Sequence, residues 1–118
     1  MNAHVCLQAP FGKADLARAD FWDAATQAIV QAWLWTFGAF FGVDVFYLWD
    51  LLPAVYLSHP ELFESKVVRV RATVNDLVHG TLVPVTGDEG ALIQMPSHIL
   101  DPARFQDILF AAWQAVAK

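Results

Sequence analysis

The sequence predicts an α+β fold in which helices pack on a three-stranded antiparallel meander. Two patterns lead to this prediction. Hydrophobic and polar residues alternate with a period of two between Lys66 and Val74, as in a strand with one buried face, whereas apolar residues recur at helical spacing after Asp101. Because the chain has 118 residues, we expect one domain that spans residues 1–118.

The first third of the chain is predicted to contain a short strand and two helices. His4 to Gln8 is predicted as the strand, which ends at the loop Pro10-Phe11-Gly12, and Ala14 to Arg18 as a short helix. We expect a longer helix from Phe21 to Trp35, capped by Asp20 or a neighbour. Its predicted buried stripe comprises Ala25, Ala28, Ile29, Ala32 and Trp33.

The second half is predicted to form the meander and a final helix. The strands are expected at Lys66 to Val74, Leu77 to Val85 and Ala91 to Met95, because turn residues separate these segments. Asp101 and Pro102 give an N-cap and first-turn signal. We expect this helix to pack on one face of the meander through Phe105, Ile108, Leu109, Ala112, Trp113 and Val116.

Composition and charge indicate a protein partner rather than nucleic acid. Hydrophobic residues make up 57% of the chain and charged residues 16%, and the nine Phe and five Trp are bulky. This excess predicts a homo-oligomer or a complementing chain. The net charge of -5 disfavours nucleic acid, whose binding requires a basic face.

Cysteine usage and hydropathy predict a cytoplasmic protein. Cys6 is the single cysteine, which excludes an intramolecular disulfide and a thiolate zinc site, and Met1 to Pro10 does not resemble a signal peptide. Ala24 to Val43 contains no charged residue and is long enough to cross a bilayer. Polar residues and glycines interrupt it, and Asp23 and Asp44 flank it, so we expect a helix between protein layers and no membrane segment.

Asp50 is the most informative candidate site residue. It is the one charge between Tyr47 and Leu57, where a carboxylate is costly unless it is paired, hydrogen-bonded or bound to metal. The local pattern favours a helix N-cap for Leu51 to Leu57 over a metal ligand, and both interpretations stay open. Ser58-His59-Pro60 is predicted to end that helix.

Other candidate residues carry weaker signals. His4, His59, His79 and His98 lack metal-ligand spacing, which favours isolated surface or loop positions. The acidic segment Gly87-Asp88-Glu89-Gly90 is predicted to be a hairpin turn, because it has too few ligands for a calcium loop. A small-ligand site is an alternative for the aromatic cluster Trp33, Trp35, Phe40, Phe41, Phe46 and Trp49.

A succession of segments resembles the C-terminal region of the inosine-uridine-type nucleoside hydrolases. It begins at Trp49-Asp50-Leu51-Leu52-Pro53 and continues to Pro60-Glu61-Leu62-Phe63. The basic, valine-rich strand, the Gly80-Thr81 segment, the third strand and the Asp-x-x-Arg-Phe helix at Asp101 then follow in the family's order. Val5 to Leu16 is similar to a loop upstream in the family, so the resemblance covers essentially the whole chain.

The resemblance implies that Asp50 corresponds to a ligand of the family's catalytic calcium. Trp49 stands where the family often has a histidine that assists departure of the nucleobase, so that route of proton donation is lost. The family's Asp-rich motif, which binds most of the calcium and activates water, and its Asn-containing ribose motif do not occur in these residues. Without them, Asp50 cannot complete a calcium shell of six to eight oxygens.

The leading hypothesis is therefore a stand-alone nucleoside hydrolase-like C-terminal fragment that is non-catalytic alone, self-associates and has no assigned catalytic residue. A mobile genetic element is one origin for such a fragment. One alternative is half of a calcium-dependent nucleoside N-ribohydrolase, completed by another chain. Another alternative, from a different class, is a small-ligand-binding module that uses Trp33, Trp35 and Trp49.

Overall fold

A computed structural model describes residues 3–117 and has a mixed helix and strand architecture, which confirms the α+β class. Six α-helices, one short 3-10 helix and two small antiparallel sheets are present in this part of the chain. In chain order the elements are α1 (Ala3–Cys6), β1 (Pro10–Gly12), α2 (Lys13–Arg18), α3 (Ala24–Phe41), β2 (Val45–Tyr47), α4 (Leu51–Ser58), the 3-10 helix (Pro60–Leu62), β3 (Phe63–Arg71), α5 (Val74–Val78), β4 (Val83–Pro84), β5 (Ala91–Ile99) and α6 (Pro102–Val116).

The hydrophobic core centres on Phe11 of β1. Its ring lies 5.1 Å from the ring of Phe46 and 6.4 Å from that of Phe110, measured between centroids. Around it, α1, α4, the 3-10 helix and α6 contribute the most deeply buried side chains, which are Val5, Cys6, Leu52, Leu62 and Phe105. Burial of these side chains removes apolar surface from water and stabilises this end of the molecule.

The predicted strand from His4 to Gln8 and the predicted loop from Pro10 to Gly12 are both wrong. His4 to Gln8 is not a strand, because it contains most of α1, and Pro10-Phe11-Gly12 is not a loop, because it forms β1. β1 pairs with β2, which places Phe11 opposite Phe46. Pro10 is tolerated because proline can begin a strand that needs no hydrogen bond from its nitrogen. The helix predicted at Ala14 to Arg18 is confirmed as α2.

The second sheet has three antiparallel strands, as expected, but it is not a meander. Its order is β4-β3-β5, so β3 is central. The predicted strand from Leu77 to Val85 is reduced to the two residues of β4, because a capping box begins α5. The backbone N–H of Thr73 donates to Asp76 Oδ2 at 2.8 Å, and Asp76 N–H donates to Thr73 Oγ1 at 3.2 Å. These reciprocal bonds favour a helix where the sequence predicted a turn and strand.

The β3 and β5 strands form a ribbon in which four of the 18 residues are buried. Phe63 and Ile99, at one end, belong to the core, and Phe63 contacts Phe105 of α6. The helix α6 begins after Asp101, whose side chain accepts from Arg104 N–H at 3.0 Å, as predicted. It packs on the Phe11 core rather than across a sheet face, so the predicted packing on a meander is wrong.

The helix α3 departs most from expectation in its packing. It begins at the N-cap Asp23 rather than at Asp20, and ends at Gly42, whose φ of 66° is a left-handed conformation that favours glycine. Within α3 only Leu34 is buried, and the stripe predicted to be buried is instead mostly exposed. No helix in residues 3–117 combines the length and hydropathy that crossing a bilayer requires.

Candidate functional site

The helix α3 separates two open grooves. Consecutive residues of a helix are rotated by about 100°, so Trp33 and Trp35 lie on opposite sides of α3. Trp33 lines one groove together with β2 and the start of α4, whereas Trp35 lines a second groove together with α2. The structure therefore does not bring together the three tryptophans that the sequence suggested for one ligand site.

The groove on the Trp33 side, which we call the aromatic groove, has a volume of about 290 Å³. Trp33 and Phe37 lie 6.1 Å apart between ring centroids, and Phe37 and Phe46 lie 6.0 Å apart. Tyr47 and Trp49 are 6.5 Å apart and nearly perpendicular, at 81°. The complete lining is Val30, Trp33, Phe37, Phe46, Tyr47, Leu48, Trp49, Asp50 and Leu51.

Asp50 lies in this groove and occupies the N-cap position of α4 without acting as a side-chain cap. Its backbone is helical (φ -84°, ψ -22°), whereas a capping residue normally has extended backbone that turns its side chain toward the free N–H groups. The expected capping bond is absent. By contrast, the extended Asp23 accepts from Thr26 N–H at 2.7 Å. Asp50 is thus exposed and is one of the residues that line the groove.

The lining of the aromatic groove does not fit a resident calcium ion. Calcium requires six to eight oxygen ligands, and Asp50 contributes the single carboxylate of the groove. Tyr47 is the remaining side chain with an oxygen in the lining, and the other lining side chains are apolar or indole rings. Within residues 3–117, no three His, Cys, Asp or Glu side chains are grouped as a metal site. We therefore derive no chemistry through calcium.

The groove on the Trp35 side is larger and more polar, with a volume of about 670 Å³. Its polar lining comprises Gln27, Gln31, Lys13 and Asp44. Gln27 donates a hydrogen bond from its side-chain amide to the backbone carbonyl of Ala19, which attaches α3 to the end of α2. The second groove thus lies between α2 and α3. Trp35 lines it at the surface and is 72% exposed.

The outward side of α3 forms a third feature, which we call the α3 face. Small residues run along its centre, namely Ala25, Ala28, Ala32 and Ala39. Large apolar side chains flank them and are 56–76% exposed, namely Ile29, Trp33, Trp35 and Phe40. Since exposed large apolar residues in a contiguous group mark interaction sites, the α3 face is the strongest candidate interface of the chain.

Of the four histidines, His4 and His98 lie together, whereas His59 and His79 hydrogen-bond locally, to the Ser58 hydroxyl and to the Asn75 carbonyl. His98 Nδ1 lies 3.4 Å from Glu64 Oε2, and the His98 ring makes an edge contact with the ring of His4, a pairing that sequence spacing did not indicate. Burial raises the pKa of the Cys6 thiol, which is 2% exposed.

The segment from Gly87 to Gly90 connects β4 to β5, but both strands pair with β3 and not with each other, so the predicted hairpin turn is wrong. Arg69 Nη1 donates to the backbone carbonyls of Asp88 and Gly90, at 3.2 Å and 3.3 Å. These two hydrogen bonds attach the segment to β3.

Sequence reasoning missed Phe37 and Tyr47 as members of the aromatic groove. Val30, Trp33 and Phe37 are spaced by three and four residues, which is the signal that places them on one side of a helix. This signal was available, but the predicted helix ended at Trp35. Tyr47 depends on the pairing of β2 with β1, which local sequence does not reveal.

Comparisons of this chain with protein-family models, with curated proteins and with solved structures give no match.

Proposed function

We propose that this chain is a non-catalytic relative of the C-terminal region of nucleoside hydrolases, which associates with a second copy of itself through the α3 face. The observation that carries the self-association is the exposure of this face. An α-helix of 18 residues, about 27 Å long, has a single buried residue, Leu34. Removing such a face from water favours association strongly.

A second copy is the occupant that suits this face because α3 is uncharged. Its sequence contains no Asp, Glu, Lys or Arg, so two α3 faces meet without like charges although each chain carries a net charge of -5. The central alanines allow two helices to approach closely, and the flanking Ile29 and Phe40 side chains fill the space beside the contact. A two-fold dimer is the commonest closed arrangement.

The proposal that the chain is non-catalytic rests on the surroundings of Asp50. Its carboxylate is accompanied by apolar and aromatic side chains, so the groove residues of this chain do not provide the six to eight oxygen ligands of a calcium shell. Trp49, which replaces the histidine of the resembled family, cannot donate a proton to a leaving nucleobase. A cytoplasmic location stays a prediction from the single cysteine.

One observation favours a second candidate, in which this chain is half of a nucleoside N-ribohydrolase. The Asp50 carboxylate is exposed and makes no capping bond, so it is available to a partner. In this alternative a different chain covers the α3 side and supplies the remaining oxygen ligands. The alternative predicts that the chain alone is monomeric, because its α3 face would bind the complementing chain rather than a second copy.

Sedimentation equilibrium of the purified chain tests the proposal. We expect a dimer, together with no ribose release from inosine or uridine in the presence of calcium above that of an Asp50→Ala variant. A folded monomer at all concentrations would contradict self-association and leave the half-enzyme as the better account. Ribose release that Asp50→Ala abolishes would contradict the non-catalytic assignment.

A further inference from the structure

The aromatic groove combines five ring-bearing side chains with one carboxylate. Trp33 and Trp49 are 56% and 46% exposed, so their rings are accessible from solvent. Asp50 lies beside Trp49 in the chain and in the same lining. The Asp50 carboxylate makes no capping hydrogen bond to α4, so it does not stabilise the start of that helix.

We propose that the aromatic groove binds a small organic cation, namely a substituted ammonium ion. The faces of Trp, Tyr and Phe rings carry negative electrostatic potential and attract a cation held within about 6 Å of the ring centroid. Tyr47 and Trp49 are nearly perpendicular, so the faces of their rings point in different directions. Alkyl groups on the nitrogen would make apolar contact with Phe37 and Phe46. Metal ions and unsubstituted ammonium cannot make this contact, because they carry no alkyl groups.

Charge complementarity distinguishes this ligand class from its alternatives. Asp50 is the single charged residue of the groove, and it attracts a cation and repels phosphates and carboxylates. The net charge of -5 acts in the same direction at longer range. The volume of about 290 Å³ is at the lower end for ligand sites, which indicates a compact cation rather than an extended one.

The site is separable from the proposed self-association. Trp33 borders both the aromatic groove and the α3 face, but the central alanines of that face do not line the groove. A substitution at Ala32 therefore tests association, and a substitution at Asp50 tests cation binding. A variant that loses association but keeps cation binding, or the reverse, distinguishes the two proposals.

Proton NMR of choline with the intact chain tests the inference. The trimethylammonium resonance is expected to move upfield on binding, because protons over ring faces experience ring currents. We expect choline to bind at least about tenfold more tightly than its uncharged carbon isostere, dimethylbutanol, because the isostere lacks the cation–π attraction. Equal affinity for the two probes, or no shift of the choline resonance at tens of millimolar, would overturn the inference.

Two variants locate the binding. Asp50→Asn keeps the shape of the side chain and is expected to weaken choline binding at least about threefold, whereas Asp44→Asn, in the other groove, leaves it unchanged. Trp49→Leu is expected to remove most of the upfield shift. Because both Asp50 and Trp49 are exposed, the variants should fold, which circular dichroism checks. Unchanged binding in both groove variants, or an equal loss in Asp44→Asn, would refute the site.

Discussion

Replacing Ala32 by aspartate should separate association from folding. Ala32 is at the centre of the α3 face and is exposed in the single chain, so Ala32→Asp costs the monomer only the lower helix propensity of aspartate, about 0.7 kcal/mol. In a two-fold dimer the same change buries a charge from each chain without a partner. An uncompensated buried charge costs about 3–5 kcal/mol.

Each such charge raises the dissociation constant roughly 100- to 4,000-fold, at about 1.4 kcal/mol for each factor of ten, and the dimer buries two, so we expect an increase of at least about 100-fold. Sedimentation equilibrium over a wide concentration range measures it. Ala111→Asp is the matched control, because Ala111 is exposed in the last helix, outside the α3 face, and pays the same propensity cost. If Ala32→Asp and Ala111→Asp shift the dissociation constant equally, the α3 face is not the interface and our reasoning fails.

Three further predictions concern stability. Asp50→Ala should change the free energy of unfolding by no more than about 0.5 kcal/mol, whereas Asp101→Ala, which removes an observed capping bond, should lower it by about 0.5–2 kcal/mol. Equal losses in denaturant titrations would show that Asp50 is also a cap. Gly90→Ala should lower the stability by at least about 1–2 kcal/mol, since Gly90 has a φ of 87° and an added Cβ would lie 2.2 Å from a backbone oxygen. Gly87→Ala, whose Cβ meets nothing closer than 4.0 Å, is the control, and a similar melting temperature for the two variants would contradict this. Hydrogen bonds from Thr73 lower the pKa of Asp76 from its ordinary value of 3.8, so folding stabilises the ionised carboxylate. This contribution to the free energy of unfolding is present above pH 3.8 and is lost as the pH falls through the lowered pKa. Asp76→Asn should therefore flatten the acid limb of the melting temperature against pH, and an unchanged slope would refute this assignment.

Sequence reasoning predicted those parts of the fold that depend on helix caps and on the spacing of apolar residues. Asp101 and Pro102 specify the start of α6, and the alternation after Lys66 gives much of β3, since caps and periodicity act within a few residues. The order of the second sheet depends on tertiary pairing. The capping box of Thr73 and Asp76 was a readable local signal, but the apolar residues around it led to a strand prediction.

The packing of α3 shows a different kind of failure. Ala25 through Trp33 give a clear apolar stripe, and such a stripe predicts burial without stating what covers it. In the structure the body of the molecule contacts the opposite side, through Val30 and Leu34, which the sequence marked only as a second apolar side. Of the candidate site residues that the sequence suggested, Trp33, Trp49 and Asp50 line the aromatic groove, whereas Trp35 lines the other groove.

Disulfide cross-linking tests most directly whether two α3 faces meet. A disulfide requires two Cα atoms within about 7 Å, so cysteines placed singly at Ala28 and Ala32 report on close approach at the centre of the face. The native Cys6 is 2% exposed and serves as the background in the unaltered chain. We predict that mild oxidation converts at least one of the two variants to a covalent dimer, whereas Ala111→Cys and the unaltered chain stay monomeric on a denaturing gel. No covalent dimer from either α3 variant, or equal cross-linking of Ala111→Cys, would contradict the proposed self-association.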